Sequence, residues 1–166
     1  MESLDVVLKY MQDYGMLFLF VIVYLEYLNL PGLPAGIIMP AIGLLIARSD
    51  ASFIHALSVS VLAGMLGSYT LYAVGYFIGS PIVEKVYNKY EKMRPSIDKS
   101  FGYINKYGNR GVFVSRLIPV ARTLISLVGG TVQMKLRSFT FYSVIGISIW
   151  NAGFILAGYL VGRLGG

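Results

Sequence analysis

Arg116 and Arg122 stand six positions apart in an otherwise apolar stretch, residues 111–134, with Pro119 between them. A charge held in a bilayer costs several kcal/mol, roughly 2.5–3.5 on insertion scales, and is rarely kept without use. On an unbroken helix the two side chains would point about 240° apart. Pro119 breaks that geometry, so both guanidiniums could converge on one cavity. Forked cationic donors, together with the open N–H groups of interrupted helices, make a phosphate-binding site. The competing reading is that both arginines snorkel to cytoplasmic headgroups. Glu26 is the only acid inside an apolar stretch. It could pair with one of the arginines across a repeat interface, or exchange protons as a desolvated carboxyl. It could equally be a static ion pair or a residue at the water boundary.

Other chemistries find little in the chain. It has no cysteine and a single histidine, His55, which excludes disulfides, thiolate metal sites and His-rich clusters. There is no Ser/His/Asp set and no phosphate-cradling glycine loop, so the expectation is no enzyme, no metal and no cofactor. A net charge of +6 would suit nucleic acid in a soluble protein. Here 56% of residues are hydrophobic and only 13% charged, with positive mean hydropathy, which makes lipid the main solvent. In that setting basic residues mark the cytoplasmic face and contacts with anionic lipid, and no nucleic-acid partner is expected.

The elements that position these residues follow from the apolar pattern. Residues 51–83 and 138–162 carry no charged side chain, and each exceeds the roughly 20 residues needed to cross a bilayer. Residues 14–47 are interrupted by Glu26 and by Pro31, Pro34 and Pro40, leaving arms of about 15 residues, or about 22 Å, short of a crossing. Residues 111–134 are preceded by Arg110 and followed by Lys135 and Arg137, so both ends belong on the cytoplasmic side. Both stretches read as re-entrant hairpins, broken at Pro31 and Pro34 in the first and at Pro119 in the second. The polar centre, residues 84–110, holds seven of the fourteen basic residues. Val83, Val86, Tyr87, Tyr90 and Met93 form one helical stripe there, and Ile97, Phe101, Ile104 and Tyr107 another, as expected of amphipathic helices on the cytoplasmic leaflet. Residues 1–14 read as a further surface helix, with Leu4, Val7, Leu8 and Met11 on one face. Glu2, Asp5 and Asp13 argue against a cleavable signal.

The chain also repeats itself. Gly75-Tyr76-Phe77-Ile78-Gly79 returns as Gly158-Tyr159-Leu160-Val161-Gly162, 83 positions later. Pro34, Gly43 and Phe53 match Pro119, Gly129 and Phe139 at offsets of 85, 86 and 86. The expected fold is therefore an all-α integral membrane protein, one domain over residues 1–166. Repeat 1 covers about 15–83, the amphipathic linker 84–110 and repeat 2 about 111–163. Each repeat is a hairpin plus a transmembrane helix, and one span per repeat makes the two inverted, a transporter architecture. Lys9, Arg48 and Arg163 then lie outside, against nine basic residues inside. The paired glycines read as helix-packing faces. Tyr69, Tyr72 and Tyr76 share a helical face, for packing or as a cavity wall.

These residues resemble the DedA family, the SNARE-associated or VTT-domain superfamily. The resemblance rests on Glu26 followed by Leu33-Pro34, Gly64-x-x-Gly67 with Tyr72 and Gly75-x-x-x-Gly79, and Lys106-Tyr107-Gly108. Its most specific part is Ser115-Arg116-Leu117-Ile118-Pro119-Val120-Ala121-Arg122-Thr123, followed by Gly129, Met134, Phe139, Gly146, Trp150 and Gly158. The resemblance implies a lipid flippase or scramblase of the bacterial cytoplasmic membrane, moving undecaprenyl phosphate or phosphatidylethanolamine. It places the family's essential arginines on Arg116 and Arg122, its membrane-embedded acid on Glu26, and paired re-entrant hairpins around them. Ala35 and Gly36 stand where many members have an acid, and Ser68 where many have Asp. Both losses weaken proton coupling through paired carboxylates and are expected to leave the phosphate-binding arginines untouched. A proton-coupled small-solute transporter and a non-transporting membrane scaffold are the alternatives, and a homo-oligomer is possible.

Overall fold

The computed structural model describes residues 2–28, 36–47, 51–119, 121–122 and 124–164, with side chains from Gly15 onward. Among the described residues the secondary structure is helical throughout: α1 Glu2–Tyr27, α2 Ile38–Ala47, α3 Phe53–Ile78, α4 Ser80–Lys89, α5 Arg94–Tyr107, α6 Gly111–Arg116, α7 Ile125–Thr131 and α8 Leu136–Leu164. Short 3₁₀ turns at Glu91–Met93 and Gly108–Arg110 join α4 to α5 and α5 to α6.

Local chemistry sets the boundaries. α1 is two helices joined at Gly15, whose φ of 57° and ψ of −135° lie outside helical space and suit a residue without Cβ. The expected surface helix therefore ends there, and an apolar arm, Gly15–Tyr27, begins. Pro31 and Pro34 fall outside the described residues. Pro40 does not interrupt the second arm: it sits in the first turn of α2, where its missing N–H has no helical acceptor to lose. Among the described residues, α3 and α8, at 26 and 29 residues, are the two helices long and apolar enough to cross a membrane. α3 stops at Ile78, short of the expected 83, because Gly79 turns the chain at φ 71° and Pro81 opens α4. α6 and α7 are six and seven residues long, about 9 and 10 Å, so the stretch 111–134 is two short arms and not one span. α6 ends at Arg116 and Pro119 lies exposed in the connecting turn.

The described chain forms two compact units, Met1–Gly64 with Ser148–Gly166, and Met65–Ile147. They cut across the sequence repeats. In the first unit α2 packs on the second half of α8, where a Cβ on Gly43 would meet the backbone at Ile155 and Tyr159, and one on Gly158 the backbone at Pro40. In the second unit α7 packs on α3 in the same manner, Gly130 against the backbone at Tyr72 and Tyr76, and Gly75 against that at Leu127. Each hairpin thus packs on the long helix of the other repeat. The contacts also correct the register. α3 maps onto α8 at 83 throughout, but α2 maps onto α7 at 87, so Gly43 corresponds to Gly130 and not to Gly129, which faces the Phe139 ring at 3.4 Å. Phe53 corresponds to Leu136, and Phe139 to Ala56, both of that last pair fully buried. The unequal offsets arise because Gly130 and Leu136 are four residues closer in sequence than their counterparts Gly43 and Phe53.

The amphipathic stripes of α4 and α5 are present, but they meet protein. Val83, Val86, Tyr87, Met93, Ile97, Phe101 and Ile104 pack with Leu124, Leu127 and Val128 at α7. Only Tyr90 and Tyr107 of the two stripes are exposed. The linker is therefore the floor on which the second hairpin rests.

Candidate functional site

Arg116, the last residue of α6, is 3% exposed. Its Nη2 donates to Ser126 Oγ of α7 at 2.9 Å, Ser68 Oγ of α3 at 3.0 Å and Ser143 Oγ of α8 at 3.2 Å. The Phe139 ring covers the guanidinium carbon at 5.8 Å, within cation–π range. Gly146 makes the approach of α8 possible, since a Cβ there would lie 2.6 Å from Arg116 Cβ. The hydroxyls fix the direction of the guanidinium.

Arg122 is 8% exposed and lies in the turn that leads into α7. Its N–H bonds the Ile118 carbonyl at 2.9 Å. The neighbouring carbonyl, of buried Ala121, accepts from Ser100 Oγ at 3.1 Å, which ties this turn to α5. Both arginines are therefore buried within the second unit. Glu26 is buried near the end of α1 in the first unit. Beside it in sequence, Tyr27 OH donates to Asn151 Oδ1 at 2.9 Å, and Asn151 Nδ2 donates to Ser60 Oγ at 3.2 Å.

These polar clusters are repeat-related. At the offset of 83, Ser60 corresponds to Ser143 and Ser68 to Asn151. Each unit thus carries one such residue from α3 and one from α8: Arg116 bonds both Ser68 and Ser143, whereas Asn151 bonds Ser60 directly and accepts from Tyr27. Sequence reasoning missed Ser60, Ser126, Ser143 and Asn151, and it noted Ser68 only for the acid it replaces. The Ser68 hydroxyl is a direct partner of Arg116. The shared offset of these polar pairs and the glycine motif was the signal that could have found them.

Comparison with known proteins follows the same line. The family model of the VTT domain matches residues 33–160. Undecaprenyl phosphate transporter A of Staphylococcus aureus is 29% identical over 158 residues, 93% of this chain and 77% of that protein. The Bacillus subtilis protein of the same name is 30% identical over 131 residues, 78% of this chain and 66% of its own length. Protein DedA of Escherichia coli is 26% identical over 153 residues, 91% and 69% respectively. No solved structure matches the chain.

Proposed function

This chain belongs to the VTT-domain (DedA) family, and from that membership we propose that it carries a phosphate-headgroup lipid, undecaprenyl phosphate or phosphatidylethanolamine, across the bacterial cytoplasmic membrane. The observation that carries the proposal is the buried Arg116, aimed by three neutral hydroxyls in a segment of apolar helices. In such a low-dielectric setting a charge-assisted contact between the guanidinium and a phosphate is strengthened. Arg122, from the adjoining turn, is the second phosphate-binding residue in this reading. The acyl or prenyl chain stays in lipid.

In this reading the arms of residues 14–47 and 111–134 are re-entrant hairpins and the two repeats are inverted in the membrane. The short arms and the repeated glycine contacts support it. The test is purified protein in liposomes containing labelled undecaprenyl phosphate or phosphatidylethanolamine. Protein-dependent movement of one lipid is expected, falling roughly 30-fold or more in Arg116→Ala or Arg122→Ala. Rates unchanged by either substitution in folded protein would refute the mechanism. Burial of Glu26 favours a second reading, proton-coupled transport of a small solute, in which Glu26→Gln abolishes uptake driven by a pH gradient.

A further inference from the structure

A cavity of about 630 Å³ opens in the second unit between α3 and the segment that enters α8. One wall is aromatic: Tyr69, Tyr72, Tyr76 and Phe77. Tyr72 and Tyr76 stack with ring centroids 6.0 Å apart, and Phe77 meets Tyr76 edge-on at 5.4 Å. The other side presents exposed Gln133 and Lys135. Gln133 is, among the described residues, the only non-glycine with positive φ, at 52°. Its N–H bonds the Gly130 carbonyl at 2.9 Å and the Met134 N–H bonds the Gly129 carbonyl at 3.1 Å, a Schellman cap that closes α7. The Tyr72 hydroxyl donates to the Met134 carbonyl and holds the capped segment against α3.

We propose that this cavity is a docking site for an isoprenoid lipid with a phosphate monoester head, occupied before the lipid reaches Arg116. The choice of ligand rests on the lipid-phosphate reading above. The volume is that of a small-molecule site. The aromatic wall suits an unsaturated hydrocarbon chain and the Lys135 ammonium suits a dianionic phosphate, to which the open N–H groups at the start of α8 add. A headgroup bearing its own ammonium would set a second cation against Lys135 and the nearby Arg137. The cavity also adjoins the arginine cluster. Phe139 contacts Tyr72 at 4.7 Å and Tyr69 at 6.3 Å between centroids, and its ring covers Arg116. A single ring thus separates the docking site from the buried guanidinium.

The chain has no cysteine, so Leu136→Cys, at an exposed position on the cavity rim, accepts a single environment-sensitive dye. Labelled protein in phosphatidylcholine nanodiscs is titrated with farnesyl phosphate, farnesol or phosphatidylethanolamine. A saturable spectral shift with farnesyl phosphate alone is expected, weakened about tenfold by Lys135→Gln and by Tyr76→Ala, both at exposed positions that leave the fold intact. Equal binding of farnesol, displacement by phosphatidylethanolamine, or indifference to Lys135→Gln would each overturn the proposal. Failure of transport in liposomes with this binding retained would remove the transport reading alone.

Discussion

The Arg116 cluster contains more acceptors than it can serve. One Nη nitrogen carries two hydrogens, yet three hydroxyl oxygens lie at 2.9, 3.0 and 3.2 Å from it. Removing one hydroxyl lets the shared hydrogen settle on the others, so Ser143→Ala, which deletes the longest contact, is expected to cost under about 0.5 kcal/mol. Removing two leaves a guanidinium hydrogen without its hydroxyl. Hydrogen bonds to charged groups contribute about 1.5–3 kcal/mol, less where a membrane-inserted unfolded state finds substitutes. The double variant Ser68→Ala/Ser143→Ala is therefore expected to cost roughly 1–2 kcal/mol, well beyond the sum of its parts. Reversible unfolding in mixed micelles, read as a double-mutant cycle, measures the coupling. Two single variants costing 1 kcal/mol or more each, with an additive double, would refute the idea of a shared donor. Three independent bonds would then have to be assigned instead.

Further outcomes follow from the packing. Gly130→Ala and its counterpart Gly43→Ala each force a methyl into the facing helix backbone, with nearest amide nitrogens at 2.8 and 2.6 Å. Each should destabilise by about 3 kcal/mol or more, seen as loss of monodisperse protein on size exclusion, whereas Gly153→Ala, with open space beside it, should be neutral. Ser100→Ala removes a single hydroxyl hydrogen shared between the Ser96 carbonyl at 2.6 Å and the Ala121 carbonyl at 3.1 Å, and should lower stability by about 1 kcal/mol at most. It should also slow lipid movement, because the Arg122 turn loses its tie to α5. Asn151→Ala breaks two buried hydrogen bonds in the first unit and should cost about 1–2 kcal/mol, with Asn151→Ser recovering part of the loss in thermal unfolding.

Much of the scaffold was legible because its causes are local. The break at Pro119, the two long apolar helices, the stripes of α4 and α5 and the burial of two arginines all follow from residue type and period. The partners of those features were not legible. An apolar stripe on a basic helix looks the same whether it meets lipid or the side chains of α7. A serine in an apolar helix is equally ambiguous. Ser58 and Thr70 bond the carbonyls four residues back in their own helix, at 2.8 and 3.0 Å, whereas Ser68 and Ser143 turn to Arg116. Nothing within one turn of sequence separates the two kinds. The offset of 83 did carry this information, but the shifted offset of 87 between α2 and α7 hid which hairpin residue belonged to which helix.

The crossing of hairpins and long helices also sets an order of assembly at the ribosome. Gly43 packs against Tyr159, a residue synthesised about 116 positions later, or roughly 6–23 s at ordinary elongation rates. Until then the glycine face of α2 has been translated without the helix it fits, while α7 finds α3 already made. The hairpin of α1 and α2 is thus synthesised well before the helix that completes it. A nascent chain halted before Ser148 should leave that hairpin open to insertion factors, or to the matching tail of another copy supplied in trans.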